Sequence, residues 1–136
     1  AGAGVPVTHR DHGQAVTFVT GHDRSGGLPE GLDWAAIARG SPVIVLYMAT
    51  RTLGAIAARL IAAGRAPGEP VAVVMNATLP GERVIETTLA AAADDMAAHG
   101  LAAPAVICIG AVVSLRSVLA PAAGLVARCA EAAPAG

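Results

Sequence analysis

Residues 43–75, VIVLYMATRTLGAIAARLIAAGRAPGEPVAVVM, decide the fold. Val43 to Met48 is an unbroken apolar run, β-branched in its first half, as in a strand buried on both faces. Leu53, Ile56, Ala57, Leu60 and Ile61 then recur at i, i+3, i+4, i+7 and i+8, the single apolar stripe of an amphipathic helix. Thr50 or Thr52 can cap its start, and Gly64 and Pro67 stop it. Val71 to Met75 reads as a second buried strand. Strand, helix and strand in this order predict an α/β layer structure.

Outward from this unit the same alternation continues. Upstream, Ala15 to Thr20 alternates, with Val16 and Phe18 on one face and Thr17 on the other, and reads as a half-buried strand. A polar loop, Gly21 to Leu32, follows, and Asp33 is a good N-cap for a short helix that Gly40 and Pro42 end. Downstream, Pro80-Gly81 forms a turn, with proline presetting φ and glycine accepting a positive one. It joins Val71–Met75 to a β-rich run, Arg83 to Thr88, with no helix between, so the expected five-stranded sheet is mixed. Leu89, Ala92, Ala93, Met96 and Ala97 repeat the helical stripe up to Gly100, and Ala105 to Ile109 is the last strand. No internal repeat is visible. From Ala120 onward alanine, proline and glycine dominate, and residues 120–136 are expected to be a disordered tail.

The chain has 136 residues, room for one domain. With 54% hydrophobic and 14% charged residues, it has the opposite balance to a disordered chain. The greasiest stretch, Leu101 to Val113, contains Pro104 and Gly110 and is too short to span a membrane as a helix. No signal-peptide pattern is present, and the expected location is the cytoplasm. Net charge is −1, every basic residue is arginine, and the aromatics are Phe18, Trp34 and Tyr47. Nucleic-acid binding lacks both its basic stripe and its stacking platform. Cys108 and Cys129 have no neighbour at metal-ligand spacing and read as two reduced thiols.

Polar chemistry gathers in three places. His9 and His12 lie three apart, with His22 or Asp23 as a conceivable third ligand, but ordinary hydrogen bonding explains the segment better than a metal. The loop Gly21-His22-Asp23-Arg24-Ser25-Gly26-Gly27 lacks the ending of a phosphate loop and is either a flap over a site or a plain surface loop. His99, in a last helical turn, suits the helix dipole and carries no role. The third cluster is Asn76-Ala77-Thr78-Leu79-Pro80, where a buried strand ends. Ligands of open α/β sheets bind beyond the carboxyl ends of strands. Tyr47-Met48-Ala49-Thr50 shares that edge if the two strands are parallel, and a flat ring could then approach the main chain closely. Pattern alone equally allows two ordinary turns.

Taken in order, several words resemble the C-terminal half of tetrapyrrole methylases, nearest to those that methylate uroporphyrinogen III. They are Val5-Pro6-Val7-Thr8-His9-Arg10, Phe18-Val19-Thr20-Gly21-His22, Val45-Leu46-Tyr47-Met48, Pro70-Val71-Ala72-Val73-Val74, Asn76-Ala77-Thr78, Arg83-Val84-Ile85-Glu86-Thr87-Thr88-Leu89 and Gly110-Ala111-Val112-Val113-Ser114-Leu115-Arg116. The resemblance covers about Gly4 to Leu119, so residues 1–119 are expected to form the family's C-terminal domain. Ala77 stands where glycine is common in the family, and Ala111 where an acidic residue is frequent.

The resemblance implies half of an S-adenosylmethionine-dependent methyltransferase that converts uroporphyrinogen III, at C2 and C7, to precorrin-2 for siroheme or cobalamin. It implies that main-chain groups at Met48 and Ala77 read the adenine edge. An acidic macrocycle calls for guanidinium forks, and Arg10 is the candidate substrate-binding residue. The other partners implied are an N-terminal domain carrying a glycine-proline turn and a Gly-Gly-Asp segment, and a second copy in a homodimer. The alternatives are a cofactor-binding or dimerisation domain without catalysis, or a relative methylating another precorrin or a substrate such as diphthine. No catalytic acid or base is identified within the chain.

Overall fold

A computed structural model describes residues 4–6, 8–11, 13–29, 31–100 and 104–116. Five strands and three helices follow in the order β1 (Val16–Thr20), α1 (Trp34–Gly40), β2 (Val43–Tyr47), α2 (Leu53–Ala62), β3 (Pro70–Met75), β4 (Arg83–Thr88), α3 (Ala92–Ala98) and β5 (Ala105–Ile109). The sheet is mixed, as expected, with strand order β1-β2-β5-β3-β4. β1 and β2 are parallel, while β5 runs antiparallel to both β2 and β3, and β4 antiparallel to β3. Because β5 lies between them, β2 and β3 point the same way. Tyr47 and Met75 therefore end on one edge, opposite Val106 and Ala105 at the start of β5.

Most large apolar side chains lie on the helix-covered face. Val19, Ile44, Leu46, Val71, Val73, Ile107 and Ile109 pack there under Trp34, Leu53, Ile56, Leu60, Leu89 and Met96. Fully burying one such side chain contributes roughly 1.5–3 kcal/mol. On the other face Val43, Val45, Ala72 and Cys108 are covered by Val5, Val112 and Val113. Cys108 is a free thiol whose burial pushes its pKa up to about 11. Cys129 and the 120–136 tail lie outside the described residues. No helix among those described is long and apolar enough to cross a membrane.

Local signals act as expected at several ends. The Asp33 carboxylate accepts the Ala36 N–H at 3.0 Å and caps α1. At the other end of that helix Arg65 donates to the carbonyls of Ala38 and Ser41 while paired with Glu69. Gly64, at φ 111, ends α2.

Three details differ from the sequence reading. Thr52 occupies the N-cap position of α2 but makes no capping bond, because its hydroxyl donates to the carbonyl of Gly21. In β1 the buried side chain is Val19, whereas Phe18 is 57% exposed and stacks on Tyr47 with ring centroids 6.1 Å apart. The helices lie on the Val19 side, and the thinner layer of Val5, Val112 and Val113 does not bury Phe18. A 3-10 helix, Ala111–Leu115, follows β5 where the sequence pattern indicated no element.

Candidate functional site

The edge where β2 and β3 end carries all the non-glycine residues of positive φ among those described: Met48 (φ 54), Asn76 (φ 52) and Thr78 (φ 65). Such a conformation costs about 1–3 kcal/mol per residue and persists only where neighbours hold it. At Met48 the chain leaves β2 and turns toward α2. His22 Nδ1 lies 2.8 Å from the Met48 carbonyl oxygen, and Gly21 N–H donates to the Tyr47 carbonyl at 2.7 Å. The Thr52 hydroxyl binds Gly21 from the other side. A side chain at Gly21 would start 2.7 Å from Ala49 Cα, so only glycine lets these two loops pass this closely.

Beyond β3, two tight turns follow one another. Asn76 N–H donates to the Pro104 carbonyl, and the Asn76 carbonyl accepts the Leu79 N–H at 2.9 Å. Thr78 thus sits where a turn favours glycine or asparagine. The next turn closes from Leu79 to Glu82, with Pro80 and Gly81 (φ 81) at its centre. Glu82 folds back, and its carboxylate accepts the Thr78 N–H at 2.6 Å.

Between the two strand ends lies an open cleft of about 360 Å³. Met48 and Thr50 form one wall, Asn76, Ala77 and Leu79 the other, and Tyr47, Val74 and Val106 contribute from the sheet. No Asp, Glu, Arg or His side chain lines it among the described residues. The arrangement suits a flat, uncharged ring whose edge is read by main-chain N–H and C=O groups.

A second cleft, of about 310 Å³, adjoins the first through Met48 and Thr50 and adds His22, Gly26 and Arg51. With Nδ1 donating its proton to the Met48 carbonyl, a neutral His22 keeps the lone pair of Nε2. The Asp23 carboxylate accepts from the Ser25 hydroxyl and the Ser25 and Gly27 N–H groups. These bonds, the Ser25 hydroxyl first, hold its pKa below the usual carboxylate value.

Met48 and Ala77, named from sequence, therefore face one cleft across the sheet edge. Arg10 is elsewhere. It is exposed in a turn closed by His9 and Gly13, and a side chain at Gly13 would meet Val43, at the opposite end of β2. His9 Nδ1 accepts the Asp11 N–H at 3.0 Å, and His12 lies outside the described residues. No group of three or more metal-ligating side chains forms among those described. His99 bonds the Asp95 carbonyl at the end of α3. Sequence reasoning weighed His22 only as a metal ligand or as part of a flap, not as a partner of the Met48 carbonyl, and passed over Glu82 and Arg51 entirely. The pair Gly21-His22 just after an apolar strand was the available signal for the first.

The model of the family of Tetrapyrrole (Corrin/Porphyrin) Methylases matches residues 1–93. A uroporphyrinogen-III C-methyltransferase of Sinorhizobium sp is 58% identical over 117 residues, which are 86% of this chain and 42% of that enzyme. A siroheme synthase of Chromobacterium violaceum is 44% identical over 83% of this chain and 24% of its own length. Among solved structures, the uroporphyrin-III C-methyltransferase of Thermus thermophilus complexed with S-adenyl homocysteine superposes with a TM-score of 0.67 at 32% identity. The match covers 84% of this chain and 49% of that one. The chain thus spans less than half the length of the relatives it matches.

Proposed function

The chain belongs to the tetrapyrrole methylase family, and from that premise we propose that it is the C-terminal half of an S-adenosylmethionine-dependent methyltransferase acting on uroporphyrinogen III. The observation that carries this reading is the uncharged cleft between Met48 and Ala77, walled by two main-chain turns. Adenine is flat and uncharged, and its edge carries both donors and acceptors, which strand-end backbone can match. S-adenosylmethionine supplies the methyl group that the pyrrole carbons at C2 and C7 receive.

This half of the protein acts by positioning. Backbone at Met48 and Ala77 holds the adenine, and the Met48 thioether adds a polarizable contact. The macrocycle is an anion with carboxylates around its rim. Arg51, at the second cleft, offers a guanidinium fork beside the cofactor, and Arg10 offers a separate one from the far end of β2. Methyl transfer requires reacting atoms about 3–3.5 Å apart and in line, and one wall cannot impose that geometry. The methionine end of the cofactor falls to the N-terminal half of the family fold. The apolar surface of Phe18, Tyr47, Met48 and Leu79 is covered in the whole enzyme by that half and by a second copy in a homodimer.

The test is a fusion of this chain to the N-terminal half of the Sinorhizobium relative. The fusion is expected to methylate uroporphyrinogen III from S-adenosylmethionine, whereas the chain alone gives no methylated product and binds the cofactor weakly in calorimetry. A folded fusion that binds no S-adenosylmethionine overturns the reading, and turnover by the chain alone overturns the division of labour.

A further inference from the structure

The turn that presents Ala77 to the cleft is closed by main-chain bonds at Asn76 and braced by one carboxylate. Asn76 and Thr78 both stand at positive φ, and Thr78 is β-branched, the type least suited to that conformation. Asn76 is tied at both main-chain groups, to Pro104 and to Leu79. Of the turn's two other N–H groups, those of Ala77 and Thr78, that of Thr78 is met by Glu82 Oε2 at 2.6 Å, the short distance of a charge-assisted bond. Glu82 has no cationic partner among the described residues. Its own N–H closes the Leu79–Glu82 turn, in which Gly81 at φ 81 lets the chain double back. The second turn therefore returns a carboxylate to the amide at the crest of the first.

We propose that Glu82 is a positioning residue for the cleft: its carboxylate, through the Thr78 N–H, holds the left-handed Asn76-Ala77-Thr78 turn in the shape that turns Ala77 backbone toward a bound nucleoside. This deepens the reading of the cleft above and rests on it for the identity of the ligand. Glu82 does not line the cleft, so it acts through the turn rather than by touching the ligand. Without the clamp, Thr78 relaxes toward negative φ and the wall rotates. The substitution Glu82→Gln keeps an acceptor oxygen at the same reach. Glycine at position 78 would adopt the turn without the clamp, because positive φ carries no steric cost for it.

Nuclear magnetic resonance on the ¹⁵N-labelled chain tests this, together with binding of S-adenosylhomocysteine as the probe. In Glu82→Ala the amide resonances of residues 76–79 should shift and the Thr78 amide should exchange faster, with strand resonances and Tm unchanged. In the fusion to the N-terminal half of the Sinorhizobium relative, Glu82→Ala should raise the dissociation constant for S-adenosylhomocysteine about tenfold, as for loss of a charge-assisted hydrogen bond. Glu82→Gln should stay near the wild type, and Thr78→Gly added to Glu82→Ala should restore most of the affinity. Unchanged shifts and exchange at residues 76–79 in Glu82→Ala overturn the proposal, as does a displaced turn with unchanged affinity. If the wild-type fusion does not bind the probe, the reading of the cleft loses its support and the backbone measurements alone decide the role of Glu82.

Discussion

The two ends of the sheet are built by opposite rules. At the Val43 end the chain is packed tight. Val43 is fully buried, and at Gly110 (φ 148) an added Cβ would lie 2.8 Å from the Pro42 carbonyl oxygen. Glycine stands where the backbone needs that freedom. At the Tyr47 end, Met48, Asn76 and Thr78 hold left-handed conformations that glycine would adopt more cheaply. Phe18, Tyr47, Met48 and Leu79 are left exposed, from 42% to 57%. One end minimises strain and exposed apolar area, and the other keeps both. Strain held by surrounding bonds beside an open cleft is the pattern expected of a binding edge. The contrast puts the open cleft and its strained turns at the Tyr47 end and the tight packing at the Val43 end.

The largest effect that sharpens this contrast is on stability. Ile109 faces both Ile44 and Val71 and is fully buried. Ile109→Ala should cost about 2–5 kcal/mol in urea denaturation. Folded molecules of that variant should keep the cleft and its affinity for S-adenosylhomocysteine. A matching loss of affinity per folded molecule would break the separation of the two ends.

A substitution at the functional end should do the reverse. Ala77 is exposed, so Ala77→Leu should leave Tm within a few degrees while filling the cleft. In the fusion enzyme we expect cofactor affinity to fall by about tenfold or more, equivalent to at least ~1.4 kcal/mol. Ala77→Gly should be nearly silent, because the contact is made by backbone. Equal affinity in the leucine variant removes Ala77 from the adenine pocket.

The smallest effect tests the contrast most directly. Arg10 belongs to the Val43 end by position, yet an acidic macrocycle gives it a reason to act. In the fusion, Arg10→Ala should raise KM for uroporphyrinogen III about three- to tenfold, as for loss of one partly solvated charged contact, with cofactor affinity intact. Unchanged kinetics would make the Val43 end structural throughout.

Much of the fold is legible in the chain because its signals are local. A β-branched apolar run, an apolar stripe of period 3.6 and a Pro-Gly turn each act over a few residues, so β2, α2, β3, β4 and β5 fall close to where the pattern puts them. The same locality explains Phe18. Alternation says that one face of β1 is buried but not which, and that depends on the side taken by the helix layer.

The site divides in the same way. Sequence alone determined that the two strand ends carry small and polar residues, and that Met48 and Ala77 belong to words resembling tetrapyrrole methylases. Tertiary structure decided that those ends meet, because β5 enters antiparallel between β2 and β3 and makes them point the same way. It also decided that His22 binds the Met48 carbonyl and that Glu82 binds the Thr78 amide. Positive φ at Met48 and Thr78 runs against the local preference of each residue, whereas Asn76 is of the non-glycine type that adopts it most readily. At Met48 and Thr78 only contacts made by the folded chain can hold it, and for that reason composition and spacing carry no trace of it there.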